Sequence, residues 1–196
     1  MIFFYFVLGV AAWTLIEYGM HHWNGHLMKG KTHFSREHLR HHVKANYFSP
    51  MADKVKLALF VIGSITLVGA VLTSLSVSLP FALGVGVGYS VYEYVHWSLH
   101  MTAPNSWYAR WARRHHFSHH FTDARFNHGV TTPVWDIVFR TYRSPQVIRV
   151  PRKLAMGWLL DENGDLAEQF ASDYQLKGRV SRALIKPPKY QERPAA

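Results

Sequence analysis

The sequence contains no cysteine, and its acidic residues are few, 12 Asp and Glu against 22 Lys and Arg. Without cysteine, thiolate zinc sites, iron–sulfur clusters, thiolate-ligated haem and disulfide bonds are all excluded. Any metal site must therefore use imidazole or oxygen ligands. A basic excess can indicate nucleic-acid binding, but only where the basic residues form a face on a soluble fold.

Charge is also missing from two long segments, residues 1–16 and residues 57–92. About 20 apolar residues cross the hydrocarbon of a bilayer. The second segment has 36 residues, which is too long for one crossing and suits a helical hairpin better than a buried helix pair of a soluble protein. The predicted crossings are about 2–20, 56–74 and 80–98. The hairpin turn is predicted at 73–80 (TSLSVSLP), and the first crossing lacks the marks of a cleaved signal peptide.

The basic residues indicate how these crossings are oriented. Seven lie between the first and second crossings, fifteen follow the third, and the hairpin turn has none. Because Lys and Arg concentrate on the cytoplasmic side, we expect both segments and the C-terminus in the cytoplasm. The expected fold is an all-α integral membrane bundle with a cytosolic, histidine-rich helical cap. Nucleic acid is not expected as a partner, since topology and anionic lipid explain the basic excess.

Histidine is abundant, and ten of the 14 histidines fall into four clusters. The clusters are His21 with His26, His38 with His41 and His42, His96 with His100, and His116 with His119 and His120. Residues three and four apart share one face of a helix, so neighbouring imidazoles can bind one metal ion at about 2.0–2.1 Å. All four clusters reach the cytoplasmic side of the predicted topology, which predicts one site there.

Ten imidazoles exceed the ligands that one ion needs, so they predict two ions with about five ligands each. Imidazole suits iron, zinc, copper and nickel, and ligand type alone does not choose among them. Glu17 and Glu93 precede cluster histidines by four and three residues. Each either accepts the outer N–H of a ligating imidazole or pairs with a nearby arginine.

In this order the clusters resemble the histidine motifs of the membrane-bound fatty acid hydroxylase/sterol desaturase superfamily. The resemblance runs from Glu17 (EYGMHHWNGH) to Tyr142 and includes EYVHWSLH at 93–100 and NHGVTTPVWDIVFRTY at 127–142. It implies a dimetal centre, ligated by the ten clustered histidines, that hydroxylates or desaturates lipid C–H bonds with O2 and two electrons. The expected cofactors are two iron ions, with zinc as the alternative in isolated protein. Asp136 joins Glu17 and Glu93 as a candidate to orient the ligands.

Some positions depart from the family pattern or match no motif. His128 stands where the family usually has Phe, and Arg140 where it often has Gly. Three interpretations of His128 are open: an eleventh ligand, a proton donor, or a ring that fills the space of the Phe side chain. The third is favoured. His22 and His115 would point away from the site, and His33 matches no motif.

The expected function is O2-dependent hydroxylation or desaturation of a fatty acyl or sterol-like lipid, bound in an apolar slot between the crossings. Trp13, Trp97 and Trp107 either line that slot or anchor the protein at the interface. With no G-x-G-x-x-G motif and no cysteine, we expect a separate electron donor, a reductase, ferredoxin or b-type cytochrome. Basic residues such as Arg110, Arg113 and Arg114 either dock that donor or form a solvated or lipid-facing surface.

Three other functions remain as alternatives. A carotenoid-ring hydroxylase is disfavoured by the spacing of His96 and His100. A non-enzymatic metal transporter or store would need more polar crossings, and a metalloprotease would need an HExxH motif. The predicted domains are a membrane-embedded hydroxylase-like domain at 1–144 and a cytosolic C-terminal tail at 145–196. Within the tail, a polar helix is predicted at 165–186 and disorder at 187–196.

Overall fold

Three long apolar helices form the membrane part of the molecule, which a computed structural model describes over residues 1–178. They are α1 (Ile2–Gly19), α3 (Met51–Leu72) and α4 (Leu75–Met101). A π-helical segment, Met20–Leu27, directly continues α1. All three are long and apolar enough to cross a membrane, which confirms the predicted helical membrane fold with three crossings.

The turn between α3 and α4 is shorter than predicted. The prediction of a turn over residues 73–80 is wrong, because α4 begins at Leu75 and contains Pro80. The carbonyl of Ser74 accepts the backbone N–H groups of Val77 and Ser78 and so starts the helix. Pro80 lies early in α4, where it removes only one backbone hydrogen bond. The helix therefore continues through Pro80.

Glycine brings α1 and α4 into backbone contact. A Cβ atom on Gly9 would lie 2.1 Å from the carbonyl oxygen of Phe81, and one on Gly84 would lie 2.0 Å from that of Phe6. Small residues permit this close approach of membrane helices. The packing sets the two helices side by side, so that His21, just beyond α1, and His96 on α4 lie at the same end of the bundle.

Three further helices lie at that end. They are α2 (His33–Val43), α5 (Trp107–Phe121) and α6 (Val134–Val138). The hydroxyl of Thr32 accepts the N–H of Ser35 at the start of α2 (3.0 Å), and the hydroxyl of Ser106 accepts that of Ala109 at the start of α5 (3.2 Å). Such N-caps fix where a helix begins, and these two helices carry six of the clustered histidines.

The described part of the C-terminal segment contains a small parallel sheet. Strand β1 (Ile148–Pro151) pairs with β2 (Tyr174–Lys177), and three short 3-10 turns lie between them, Arg152–Leu154, Gly157–Leu159 and Glu168–Phe170. The helix predicted over 165–186 is therefore wrong for its described part, because Tyr174 is buried in an apolar core as part of a strand. The rest of that prediction, and the disorder predicted over 187–196, lie outside the described residues.

This sheet packs against the back of α5 and encloses that apolar core. Phe117 of α5 is buried there with Val150, Leu159 and Tyr174. The indole N–H of Trp158 donates to the carbonyl of His100 (3.2 Å) and so joins the segment to the end of α4. The division of the chain near residue 144 remains a prediction, but the segment after it supports the helix that carries His116, His119 and His120.

The three arginines considered for docking have partners within the chain. Arg113 is 2% exposed and donates to the carbonyls of Ser98 and Thr102 at the end of α4. Arg110 and Arg114 both pair with Asp173, at 2.6 and 3.4 Å. The two predictions for Arg113, that it docks an electron donor or forms part of a basic surface, are therefore wrong, because its guanidinium is buried against the chain.

Candidate metal centre

The ten clustered histidines come together in two groups of five. Group one contains His21, His26, His38, His42 and His119, and group two contains His41, His96, His100, His116 and His120. Each residue offers one ring nitrogen, and within a group these nitrogens all lie within 4.8 Å of one another. The groups do not follow the sequence clusters, because α2 and α5 each contribute to both. Two groups of five match the grouping predicted from the histidine count, and the binding of an ion by each group stays a prediction.

The distances between ring nitrogens test whether a metal ion fits. The Nε2 atom of His119 lies 2.9 Å from that of His26, 3.0 Å from that of His21 and 3.2 Å from that of His42. In group two, the separations are 3.1 Å for His96 with His41 and 2.9 Å for His100 with His116. Adjacent nitrogen ligands at about 2.1 Å from an octahedral ion are about 3.0 Å apart. The donor set and its spacing therefore fit an ion in each group.

The π-helical segment explains the spacing of His21 and His26. Residues five apart lie on different sides of an α-helix, whereas a π-helix closes hydrogen bonds from i to i+5 and has a longer turn. The segment Met20–Leu27 therefore brings both imidazoles to one face, toward His119. The spacing of five residues, unlike the three and four of the other clusters, is the sequence signal for this π-helical segment.

Backbone carbonyls orient several of these rings. The Nδ1–H of His119 donates to the carbonyl of Phe126 (2.7 Å), and that of His41 donates to the carbonyl of Tyr47 (2.7 Å). His21 uses its Nδ1–H in the same way on the carbonyl of His128. A proton held on Nδ1 leaves the Nε2 lone pair free and directed into the group.

Burial keeps these imidazoles uncharged. It lowers the pKa of His41 to about 4. Burial, with neighbouring imidazoles adding to it, also lowers the pKa of His119 and His120 well below the ordinary value. The neutral ring is the form that binds metal, so both groups present lone pairs at neutral pH.

The two glutamates predicted to orient imidazoles have other partners. Glu17 accepts the backbone N–H groups of Val130 and Thr131 (2.6 and 2.9 Å) and the Thr131 hydroxyl (2.6 Å). Glu93 accepts a hydrogen bond from Lys54 of α3 at 2.5 Å. Within residues 1–178 neither carboxylate accepts an imidazole N–H or pairs with arginine, so both interpretations are wrong. Glu17 instead accepts the backbone N–H groups of the loop at residues 130–131 and so holds that loop against the end of α1.

Asp136 does accept an imidazole N–H, but from a histidine outside both groups. Its carboxylate accepts from the Nε2–H of His115 (3.1 Å), the backbone N–H groups of His128 (2.8 Å) and Gly129 (2.7 Å), and the Thr141 hydroxyl (2.8 Å). Burial raises the pKa of Asp136, but these hydrogen bonds outweigh it and hold the pKa below its usual value. The ionised carboxylate thus fixes the peptide whose carbonyl orients His21.

We expect Asp136→Ala to lower the free energy of unfolding by about 3–5 kcal/mol, because it leaves several buried donors without an acceptor at about 1–3 kcal/mol each. Both Asp136 and His115 have fully buried side chains. Denaturant unfolding in detergent micelles measures the change. Asp165→Ala is the matched control, since Asp165 forms an exposed pair with Arg152 and exposed pairs contribute about 0–1 kcal/mol. Equal stabilities of the two variants would contradict the anchoring role of Asp136.

The positions that depart from the family pattern have local explanations. The ring of His128 lies outside both groups and stacks on that of His22 at 4.1 Å between centroids; that it fills the Phe space stays a prediction. Arg140 has a φ of 60°, a left-handed conformation that glycine adopts without strain. His33 is exposed and belongs to neither group.

Two cavities share part of their lining, and the smaller one reaches the histidine groups. The larger, of 560 Å³, lies between α1, α3 and α4 and is lined by apolar residues including Trp13, Leu57, Val61 and Val85. The smaller, of 60 Å³, is lined by His38, His41 and His96. Lys54 and Glu93 line both. Of the tryptophans considered for the slot, Trp13 lines the large cavity, whereas Trp97 and Trp107 are exposed.

Comparison with known proteins agrees with this arrangement. The fatty acid hydroxylase family model matches residues 6–141. The chain is 35% identical over 153 residues to the ceramide very long chain fatty acid hydroxylase SCS7 of Saccharomyces cerevisiae, covering 72% of this chain and 38% of that protein. It is 31% identical over 150 residues to the fatty acid 2-hydroxylase of Rattus norvegicus, covering 69% and 38%. The chain thus spans about two fifths of the length of these relatives.

A solved structure is also similar. The structure of full-length Scs7p, in which only the hydroxylase domain is visible, superposes with a TM-score of 0.57 and 27% identity, covering 72% of this chain and 56% of that one. The family match covers more than half of the chain and includes all ten grouped histidines. This chain belongs to the fatty acid hydroxylase family.

Proposed function

We propose that this chain is a membrane-bound, metal-dependent hydroxylase of lipid acyl chains. The observation that carries the proposal is the apolar cavity between the spanning helices, which shares Lys54 and Glu93 with a smaller cavity lined by imidazoles of both groups, His38, His41 and His96. An apolar cavity of this size can hold a ligand of lipid character. The names of the relatives, which are fatty acid and ceramide hydroxylases, support an acyl substrate over a sterol or a carotenoid ring.

The ten grouped histidines would hold two iron ions, five imidazoles to each. All ten donors are nitrogen, a set that suits several first-row metals. Iron is favoured over zinc because zinc has no redox chemistry. When bound, the ions would supply the O2 activation that cleavage of an unactivated C–H bond requires, with O2 as co-substrate. Hydroxylation is favoured over desaturation by the relatives' names.

The residues of the chain itself would bind, orient and shield the substrate. Apolar side chains of α1, α3 and α4 line the large cavity and would exclude water from the acyl chain. The carbonyls that hold the Nδ1–H groups of His41 and His119 would keep the Nε2 lone pairs directed into the two groups. In this proposal no protein side chain removes the hydrogen of the C–H bond.

Topology and electron supply complete the proposal. We place the histidine groups and the C-terminus on the cytoplasmic side, because Lys and Arg occur in and around the segment between α1 and α3 and after α4, and none occurs in the turn between α3 and α4. Electrons would come from a separate donor, a reductase, ferredoxin or b-type cytochrome. Arg110 and Arg114 are engaged with Asp173, so other exposed basic residues are better candidates to meet an acidic carrier.

Lipidomics of cells with and without this chain tests the function. We expect acyl lipids that carry one additional hydroxyl group only in the expressing cells, and fragmentation of the products locates the hydroxyl. Isotopically labelled O2 should appear in the product. Metal accumulation without any new lipid would contradict the proposal and favour a metal transporter or store. A hydroxylated carotenoid ring would favour the other branch of the superfamily.

A further inference from the structure

An ion pair stands where the two cavities meet. Lys54 of α3 is 16% exposed at its side chain, and its ammonium lies 2.5 Å from the carboxylate of Glu93 on α4. The same ammonium lies 5.5 Å from the centre of the Phe48 ring. Both charged residues line the large apolar cavity and the small cavity beside His41 and His96. An ionisable pair between membrane helices commonly marks a functional site.

The other carboxylates of this region are engaged elsewhere, and Asp53, which also lines the large cavity, pairs with Lys56 at 3.9 Å. Glu17 holds the loop at Val130 and Thr131. Glu37 pairs with Arg40 at 3.0 Å and accepts the hydroxyl of Tyr47. Lys54, in contrast, has three N–H donors and makes one hydrogen bond within residues 1–178, to Glu93. It is therefore a cation with spare donors at the wall of an apolar cavity.

We propose that Lys54 binds the acyl carbonyl oxygen of the lipid substrate and that Glu93 makes this site selective for neutral carbonyls. The inference rests on the proposed function and names the residue that would position the substrate of that site. An ammonium that donates to a carbonyl oxygen makes a charge-assisted hydrogen bond. One such bond is possible without breaking the pair with Glu93, because Lys54 has donors to spare.

This binding would fix which part of the acyl chain meets the histidines. With its carbonyl at Lys54, the first carbons of the chain lie at the small cavity lined by His41 and His96. The remainder extends into the large cavity, along Leu57, Val61 and Val85. The site of oxidation is then close to the carbonyl rather than near the end of the chain.

Glu93 would set the charge that the site accepts. An amide or ester carbonyl adds no charge to the pair. A fatty carboxylate bound to Lys54 would place a second negative charge beside Glu93, and like charges close together in a partly buried site disfavour each other. Amide- or ester-linked acyl chains should therefore bind better than free fatty acids of equal length.

Equilibrium binding to the metal-loaded chain in nanodiscs tests this inference without requiring turnover. The probes are N-palmitoyl sphinganine, which has a neutral amide carbonyl, and palmitic acid at a pH where it is ionised. We expect Lys54→Met to weaken binding of the amide probe by about 10- to 100-fold, the effect of losing a hydrogen bond from a charged group. Lys54→Arg, which keeps charge and donors, should restore most of the affinity.

Two further variants make the test specific. Lys56→Met is the matched control, because Lys56 lies on the same helix, is 79% exposed and pairs with Asp53 at 3.9 Å. It should bind both probes as the wild type does. Glu93→Gln should strengthen palmitate binding by about tenfold relative to binding of the amide probe, since one like-charge interaction is removed.

Three outcomes would overturn the inference. They are unchanged amide binding by Lys54→Met, an equal loss in Lys56→Met, and a palmitate affinity that does not respond to Glu93→Gln. Metal content and thermal unfolding of each variant identify a folding defect, and rescue by Lys54→Arg identifies a charge effect. If these binding ratios are found but wild-type cells make no hydroxylated lipid, the proposed function fails while the binding site stands.

Discussion

Replacement of His119 by alanine is expected to remove the ion of group one and to reduce hydroxylated lipid below about 1% of the wild-type level, a loss of about 2.7 kcal/mol or more in transition-state stabilisation. The Nε2 atom of His119 lies within 3.2 Å of the Nε2 atoms of three other group-one histidines. No other residue of that group has as many such neighbours within the described part of the chain. Elemental analysis of purified protein and lipidomics of the same cells measure the two effects.

Group two provides the internal comparison. It contains His41, His96, His100, His116 and His120 and shares no ligand with group one. The His119→Ala variant should therefore retain one ion per chain, whereas His41→Ala should lose the other ion. His33→Ala is the control, because His33 is exposed and belongs to neither group. Loss of metal from His33→Ala, or full metal content in His119→Ala, would contradict the grouping.

The sequence was sufficient to predict the three crossings and the ten histidines that meet. Uncharged length reports membrane crossing because the hydrocarbon core excludes charge, and residues three or four apart share a helical face wherever an α-helix forms. It was not sufficient to assign histidines to groups. His41 and His42 are adjacent in sequence but belong to different groups, and their division depends on how α2 packs between the other elements.

The carboxylates show a second limit. Glu17 and Asp136 both accept backbone N–H groups of the loop at 128–131. Backbone donors are present at every residue except proline, so the sequence contains no signal for which loop will reach a given carboxylate. The same reason explains why β1 and β2, short strands separated by more than twenty residues, were not predicted. Parallel pairing depends on packing distant in the chain.

Under the proposed function, Gly86→Leu is expected to shift the products toward shorter acyl chains. Gly86 lines the large cavity opposite Ile62, and a Cβ atom on Gly86 would lie 2.8 Å from the Cδ1 atom of Ile62. Ile62 lies eight residues after Lys54, about 12 Å along α3. A leucine there would fill the part of the cavity farthest from Lys54. Overfilling costs about 1–3 kcal/mol, so the longest chains should lose about 10- to 100-fold in product.

Ile62→Ala should have the opposite effect, because it removes side-chain volume from the same place and lets longer chains enter. Gly63→Leu is the matched control for both, since a Cβ atom on Gly63 would meet no atom within 4 Å. Competition among acyl substrates of graded length in one culture, read by mass spectrometry of the hydroxylated products, measures the distribution directly. A uniform loss at every chain length in Gly86→Leu would indicate a folding defect and would place the acyl tail elsewhere. A distribution that moves in opposite directions in the two variants would locate the end of the acyl chain between α3 and α4.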